Sequence, residues 1–362
     1  MPMNKRQIIL SLVMTALMAA FMAISPGYIA GDRMPLTLQR KAENIEDYQG
    51  IITIWHIVGF KPYQGSLGSW MSSAAAQFEK KHRGVYFEVD SITEDEYDAR
   101  IARGEQPDVF SFSLGKVYVD QLREMNMEIP ELKGNLFGIG CSGGKLYAVP
   151  YAASGYLLMH NQRLVQEMGM DADGMADMLK SGNASAAGNA VCACVYGAAG
   201  ELLTEEDFLE EKAASAFMDA RAAGDLQRKV QNGKGFPFEA APCGNYSDLV
   251  QLIGINVNAH PDKMGCIYEL IELCLSQENQ MGLCDIGLMP AVAEIQPDKA
   301  DEWAVELLFE ELSDIAAPNS FLYQTYREQL EKSAREAMLG SAAAKKDLDL
   351  RLTELVRGVE IH

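Results

Sequence analysis

Apolar and polar positions alternate in two different periods along the chain after residue 50. Short β-prone runs at Ile51–Trp55, Val85–Asp90 and Val109–Phe112 predict three strands. Between them, Ser69–Lys81 and Thr93–Glu105 have helical spacing; the second segment starts acidic and ends basic, as the helix dipole favours. Strands that alternate with helices predict an α/β fold with a parallel sheet.

The N-terminus carries a long apolar segment. Ile8–Ile24 is 17 residues without a charge and follows Lys5 and Arg6, a pattern typical of an export signal. The run is long for a removable signal, its cleavage sites are poor, and no cysteine follows it that could carry a lipid. We therefore predict that residues 1–30 are a signal peptide or an uncleaved membrane anchor, followed by a tether over residues 31–47.

Length and charge limit the function classes. A chain of 362 residues suits two domains, and its formal net charge is −20. The first thirty residues hold two cations and no acid, so the rest carries −22, which repels nucleic acid. The seven cysteines are an odd number, and neither they nor the five histidines form a zinc motif. We expect no nucleic-acid partner, no metal and no other cofactor.

The segment GIGCSGGKLYAVPY permits two interpretations of Ser142. Gly140–Gly144 fits G-x-S-x-G, the nucleophile elbow of an acyl hydrolase, which needs a strand before the serine and a helix after it. Gly143 and Gly144 are instead followed by the β-prone run Lys145–Val149. This order predicts a strand, a tight turn and a second strand, with Ser142 as a turn residue.

Several motifs resemble, in their order, the extracellular solute-binding proteins of ABC importers, of the maltodextrin- and sugar-binding type. Gly104–Val109 matches the family's G-x-x-P-D-v, and Gly144–Pro150 matches its G-K-l-Y-a-v-P. Three further matches are Leu158–Asn161, Lys263–Gln280 and Gly287–Pro290, and the run EAMLGSAAAKKDLDLRLTEL resembles the closing helices. Each motif is weak alone, whereas their order across residues 50–360 is a strong joint signal.

The middle of the chain departs from the family pattern. Relatives carry a longer helical segment between Asn161 and a helix that we place at Glu206–Ala223. Here the run MLKSGNASAAGNAVCACVYGAAG has few large apolar residues. The sequence therefore predicts a shortened second lobe with a reduced share of the ligand cleft.

The resemblance implies a two-lobe, periplasmic-binding-protein-like fold of type II with crossing hinge strands. Lobe one would hold residues 48–151 and 246–298, and lobe two residues 152–245 and 299–362. The chain would cross near Tyr151 and return near Tyr246. Closure of such lobes around a ligand is the expected conformational change.

Ligands of open α/β sheets bind beyond the carboxyl ends of the strands, and this rule selects the candidate residues. The ligand-binding candidates are His56, Tyr63, Ser69, Phe112, Ser113, Tyr151, Ser154, Asn245 and Tyr246. These aromatic, hydroxyl and amide side chains suit a neutral carbohydrate. His56 could equally be a capping residue and Tyr63 a plain loop residue, while Trp55 and Trp70 are expected in the core.

The sequence leaves three functions open. The first is an extracytoplasmic receptor that hands a small solute, a sugar, to the transmembrane subunits of an ABC permease and contacts the membrane through its N-terminal segment. The second is a membrane-tethered sensor or scaffold whose cleft has been eroded, and the third is an acyl hydrolase that uses Ser142. The turn context argues against the third.

Overall fold

The computed structural model describes residues 48–295 and 303–358. The predicted signal or anchor (residues 1–30) and the predicted tether (31–47) lie outside these residues. Within the described ranges, no helix combines the length and the apolar character needed to cross a membrane.

The described residues form thirteen strands and thirteen α-helices. The strands are β1 (Gly50–Ile57), β2 (Val85–Ile92), β3 (Val109–Ser113), β4 (Cys141–Ser142), β5 (Lys145–Leu146), β6 (Ala148–Ala153), β7 (Tyr156–Asn161), β8 (Ala186–Gly188), β9 (Leu202–Leu203), β10 (Ser215–Asp219), β11 (Phe238–Pro242), β12 (Val250–Ile255) and β13 (Met289–Pro290). The helices are α1 (Leu67–Lys81), α2 (Glu94–Ala102), α3 (Leu136–Ile139), α4 (Gln162–Glu167), α5 (Ala172–Lys180), α6 (Ala190–Tyr196), α7 (Glu205–Leu209), α8 (Ala220–Gln231), α9 (Met264–Cys274), α10 (Gln277–Cys284), α11 (Trp303–Phe309), α12 (Ser320–Met338) and α13 (Ala342–Arg357).

The first sheet has six strands in the order β13-β6-β12-β3-β1-β2. β1 pairs with β2 and β3 in parallel, as predicted, because helices α1 and α2 connect these strands. The complete sheet is mixed, because β12 runs antiparallel to both β3 and β6. β12 follows β11 of the second sheet with no helix between them, so it is not part of the strand–helix–strand alternation from which the parallel pairing was predicted.

The predicted elements of this sheet are confirmed with small shifts at their ends. The N-cap of α1 is Ser66, three residues before the predicted N-cap Ser69, and its hydroxyl accepts the backbone N–H of Ser69 at 3.0 Å. Thr93 caps α2 by accepting the N–H of Glu96. Trp55 and Trp70 are buried in the core, as expected.

The second sheet has five strands in the order β11-β7-β10-β8-β9. β7 is antiparallel to β10 and β11, and β8, β9 and β10 are parallel. The predicted single helix at Glu206–Ala223 is wrong, because its middle forms β10. Ala216, Phe217 and Met218 are fully buried there, and an apolar run buried on both faces makes a central strand.

Two short segments join the sheets. The chain leaves the first sheet after β6 and enters the second at β7, then returns from β11 to β12. Between them, the Asp248 carboxylate accepts hydrogen bonds from Tyr156 at 2.7 Å and from Tyr323 at 2.5 Å. A single carboxylate thus ties together the return segment, the start of β7 and helix α12.

Candidate functional site

A cavity of about 480 Å³ lies between the parts of the molecule built on the two sheets. One wall is formed by His56 near the end of β1, by residues 58–68 after this strand, and by Ser91 near the end of β2. The other wall is helix α8, which contributes Arg221 and Arg228. The cavity therefore lies at the carboxyl end of the first sheet, where the topology of α/β sheets predicts a ligand site.

Tyr63 spans this cavity and contacts helix α8. A Cβ atom placed on Gly224 would lie 2.2 Å from Cδ2 of the Tyr63 ring, so only glycine permits this approach. The guanidinium of Arg228 lies over the same ring, with Cζ 4.3 Å from the ring centroid, and its Nη2 is 3.4 Å from the Tyr63 carbonyl oxygen. Tyr63 is thus a clamp between the segment after β1 and the second lobe.

The lining of the cavity is cationic although the chain is acidic. The cavity is lined by Lys61, Arg221 and Arg228. Among the described residues, no Asp or Glu lines it. Asp225, beyond the lining, pairs with both arginines; its Oδ2 is 3.4 Å from Nη2 of Arg221. One carboxylate faces two guanidinium groups, so the cavity keeps an excess of positive charge.

His56 is held in a buried hydrogen-bond network at the end of β1. Its Nδ1 lies 2.9 Å from Ser111 Oγ, which is also 2.9 Å from the Tyr151 hydroxyl and accepts the Gln251 amide at 3.2 Å. These contacts are all satisfied when Tyr151 donates to Ser111 and Ser111 donates to Nδ1 of a neutral imidazole. Burial supports this state, since it lowers the pKa of His56 to about 4.

Trp70 and Tyr151 form a stacked pair behind the cavity. Their ring centroids are 5.1 Å apart and the rings are nearly parallel, at 3°. The indole N–H of Trp70 donates to the carbonyl of Asn279 at 2.9 Å, and Tyr151 is fully buried. In this conformation the stack leaves no exposed face of Tyr151, and neither ring lines the cavity.

The nine predicted ligand-binding residues fall into four places. His56 and Tyr63 line the cavity, while Ser69 opens into a neighbouring depression of about 390 Å³. Phe112 and Tyr151 are in the core of the first sheet, and the half-buried Ser113 is the last residue of β3.

The other three lie along the segments that join the sheets. Ser154 is buried and its carbonyl accepts the Ser247 hydroxyl at 2.6 Å. Asn245 donates to the carbonyl of Asp314 at 2.7 Å, and Tyr246 is buried beside it. A binding role for these residues stays a prediction, and in this conformation they connect elements of the fold.

Sequence reasoning missed the contribution of α8 to the cavity. The predicted helix at Glu206–Ala223 includes Arg221 but ends before Gly224 and Arg228, so the helix face that lines the cavity could not be recognised. The sequence did contain a usable signal, namely two arginines seven residues apart with a glycine between them. This spacing places both cations on one face of a helix, and the glycine permits another segment of the chain to pack closely against that face.

The prediction that Ser142 lies in a turn is confirmed. β4 and β5 pair antiparallel, with Ser142 opposite Lys145, and the two glycines between them have φ of +56° and +77°. Two consecutive positive φ angles are those of a tight hairpin turn, and the element that directly follows the serine is a strand, not the helix that a nucleophile elbow needs.

Asp108 of the G-x-x-P-D-v motif has a structural position. Its Oδ2 accepts the backbone N–H of Thr53 at 2.9 Å and the ammonium of Lys263 at 2.7 Å. The carboxylate therefore fastens β1 to β3 and to the segment before α9, and it is absent from the cavity lining.

Solved structures of sugar-binding proteins share this fold, although no family profile and no curated protein matches the chain in sequence. The cyclic α-maltosyl-1,6-maltose-binding protein from Arthrobacter globiformis is 16% identical, with a TM-score of 0.62 over 86% of this chain and 100% of that one. The sugar-binding protein MalE from Xanthomonas citri is 14% identical, with a TM-score of 0.59 over 85% and 98%. The galacto-N-biose-/lacto-N-biose I-binding protein of the ABC transporter from Bifidobacterium longum is 11% identical, with a TM-score of 0.58 over 87% and 99%.

These matches confirm the predicted resemblance at the level of the fold. The chain has the two-lobe α/β fold of the sugar-binding proteins of ABC importers, over most of its length.

Proposed function

We propose that the protein is an extracytoplasmic solute-binding protein that captures a carbohydrate between its two lobes and delivers it to an ABC permease. The observation that carries the proposal is the cavity between the lobes, at the carboxyl end of the first sheet. The neighbours with the same fold bind sugars, and one of them belongs to an ABC transporter. Catalysis has no part in the proposal, since Ser142 lies in a hairpin turn.

The chemistry of the lining suits a hydroxyl-rich ligand. Tyr63 offers an aromatic ring, His56 an imidazole, and Gln64, Ser66 and Ser91 neutral hydrogen-bonding groups. The sequence predicted a neutral sugar because the candidate positions hold aromatic, hydroxyl and amide side chains. The two arginines of α8 add recognition of a carboxylate or sulfate substituent to that set.

A carbohydrate panel tests the proposal on the full-length protein. Neutral maltose-type and lacto-N-biose-type oligosaccharides and acidic, uronate-containing oligosaccharides would be compared by thermal shift and calorimetry. A ligand at 100 times its Kd stabilises the native state by about 2.7 kcal/mol, a readily measured rise in Tm. The proposal fails if no carbohydrate of either class raises the Tm.

Matched arginine variants locate the binding site. Arg221→Gln should weaken the binding of an acidic sugar and make its affinity less dependent on salt, whereas the affinity for a neutral sugar should change little. Arg335→Gln is the control, because Arg335 is similarly exposed and also pairs with an acid one turn away on its helix, but it lies on α12. Equal losses in both variants would show that the ligand does not bind between the lobes.

A second candidate function is supported by the Tyr63 clamp. In a sensor or scaffold with an eroded cleft, the chain's own Tyr63 occupies the space between the lobes by packing on Gly224. Such a protein would bind no carbohydrate, and Tyr63→Ala would not create a carbohydrate site. Tight sugar binding by the wild-type chain removes this alternative.

The location and the lobe boundaries complete the proposal. We place the chain at the outer face of the cell membrane, with residues 1–30 as the signal or anchor, and we keep the lobes at 48–151 with 246–298 and 152–245 with 299–362. Recovery of the intact chain in detergent-solubilised membranes supports an anchor. A mature N-terminus near residue 31 in the medium shows a cleaved signal instead.

A further inference from the structure

Two buried cysteines of the second lobe lie in direct contact. The Sγ atoms of Cys192 and Cys243 are 3.0 Å apart, although the residues are 51 positions apart in the chain. Both side chains are buried, at 2% and 3% exposed. A disulfide bond is about 2.05 Å long, so a shift of about 1 Å joins the two sulfur atoms.

The surroundings of the pair leave few other roles for it. The described residues hold no group of three or more His, Cys, Asp or Glu side chains that could bind a metal ion. Cys194, two residues further along α6, contacts neither sulfur of the pair in the hydrogen bonds of the described residues and lies near Lys345 instead. The contact therefore selects one pair from the seven cysteines of the chain.

Both cysteines are held by rigid local structure. Asn189 caps α6 by accepting the N–H of Cys192 at 2.8 Å, which fixes this residue in the first turn of the helix. Cys243 directly follows β11, and its thiol donates to the carbonyl of Tyr156 at 3.2 Å. The pair thus connects helix α6 to the segment through which the chain returns to the first sheet.

We propose that Cys192 and Cys243 form a disulfide bond that fastens the return segment to the second lobe. The bond forms by thiol–disulfide exchange with a small dialkyl disulfide such as oxidised glutathione: the two thiols lose two protons and two electrons, and the oxidant is released as two thiols. The exchange takes place as the chain folds, because the folded protein shields both sulfurs from an oxidant. In the folded protein, contact with Cys243 and burial raise the pKa of Cys192 well above its usual range, which keeps this thiol unreactive.

Thiol counting on the full-length chain tests the bond. The protein is produced in an oxidising compartment, denatured without reductant and labelled with a maleimide. We expect five labels on the oxidised chain and seven after reduction, with a mass difference of 2 Da between the unlabelled forms. In a non-reducing tryptic digest, peptide 181–212, which holds Cys192 and Cys194, should be linked to peptide 235–263, which holds Cys243.

Serine variants assign the bond. Cys194→Ser should still lose two thiols on oxidation, whereas Cys192→Ser and Cys243→Ser should not. Reduction should lower the Tm of the wild-type chain by roughly 5–15 °C, as expected for the opening of a loop of about fifty residues, and should leave the Tm of Cys192→Ser unchanged. Seven reactive thiols after folding with oxidised glutathione, or a bond that survives in Cys192→Ser, would overturn the proposal. The result is independent of carbohydrate binding, since neither cysteine lines the cavity.

Discussion

The stability of the folded protein should depend on pH through His56 near the end of β1, and replacing His56 by Asn should remove this dependence. The Asn Oδ1 atom takes the position of Nδ1 and accepts the same hydrogen from Ser111, but it does not titrate. In the wild-type chain, the network and the burial favour the neutral imidazole, and the pKa of His56 falls from 6.5 to about 4.

The sign and size of the effect follow from this pKa. The folded pKa lies below the unfolded one, so the folded state binds fewer protons between pH 6.5 and pH 4. His56 therefore contributes its full share of stability above about pH 6.5 and loses it as the pH falls towards 4. The full difference corresponds to about 3 kcal/mol, of which about 2 kcal/mol is lost at pH 5.

Thermal unfolding at several pH values measures the effect. Relative to His56→Asn, the wild-type chain should lose roughly 4–8 °C of Tm between pH 7.5 and pH 5, by the usual relation between free energy and Tm for lobes of this size. Subtracting the Tm of His56→Asn from that of the wild type at each pH removes the contribution of the carboxylates, because they titrate alike in both chains. His260→Asn is the matched control, because that side chain lies at the surface. A difference between the wild type and His56→Asn that stays constant from pH 7.5 to pH 5 would refute the network as described.

Three further substitutions test the architecture of the site. Ser142→Ala should change stability by less than about 0.5 kcal/mol, and labelling of Ser142 by a fluorophosphonate would contradict its place in the turn. Gly224→Ala should break the Tyr63 clamp, and small-angle scattering should then show a larger radius of gyration. Adding Tyr63→Ala to this variant should relieve the clash and restore the radius. Gly138→Ala is the control and should have no effect, because that glycine has open space around it. Tyr151→Phe should cost about 1–2 kcal/mol by calorimetry, because it leaves Ser111 short of a buried donor, and an unchanged Tm would argue against that hydrogen bond.

The first sheet could be predicted from the sequence because its elements are locally encoded. The alternation of β1, α1, β2, α2 and β3 follows from periods of two and 3.6 residues and from capping residues, and the hairpin follows from two adjacent glycines. β10 was not recognised within the predicted helix because its four small or apolar residues, followed by Asp219, are too few to show a distinguishing period.

The candidate site was only partly predictable, for a reason of geometry. His56 and Tyr63 could be found because they follow a recognisable strand. Arg221 and Arg228 face the cavity only because a second lobe folds against the first, and this juxtaposition depends on contacts about 160 residues apart in the chain. Burial of Tyr151 behind Trp70 likewise depends on tertiary packing that strand position alone does not specify.

The place of β12 in the first sheet also sets the order in which the molecule can fold. β12 lies between β3 and β6 but is the only one of the three that follows the second sheet in the chain. A nascent chain therefore holds every strand of the second sheet before the first sheet can close, and until then β3 and β6 each present an unpaired edge. Exposed strand edges favour pairing with other chains, and closing a connection of about one hundred residues is slow. We therefore expect the second sheet to form before the first sheet closes, and we expect the chain to be most exposed to aggregation before residues 250–255 join the first sheet.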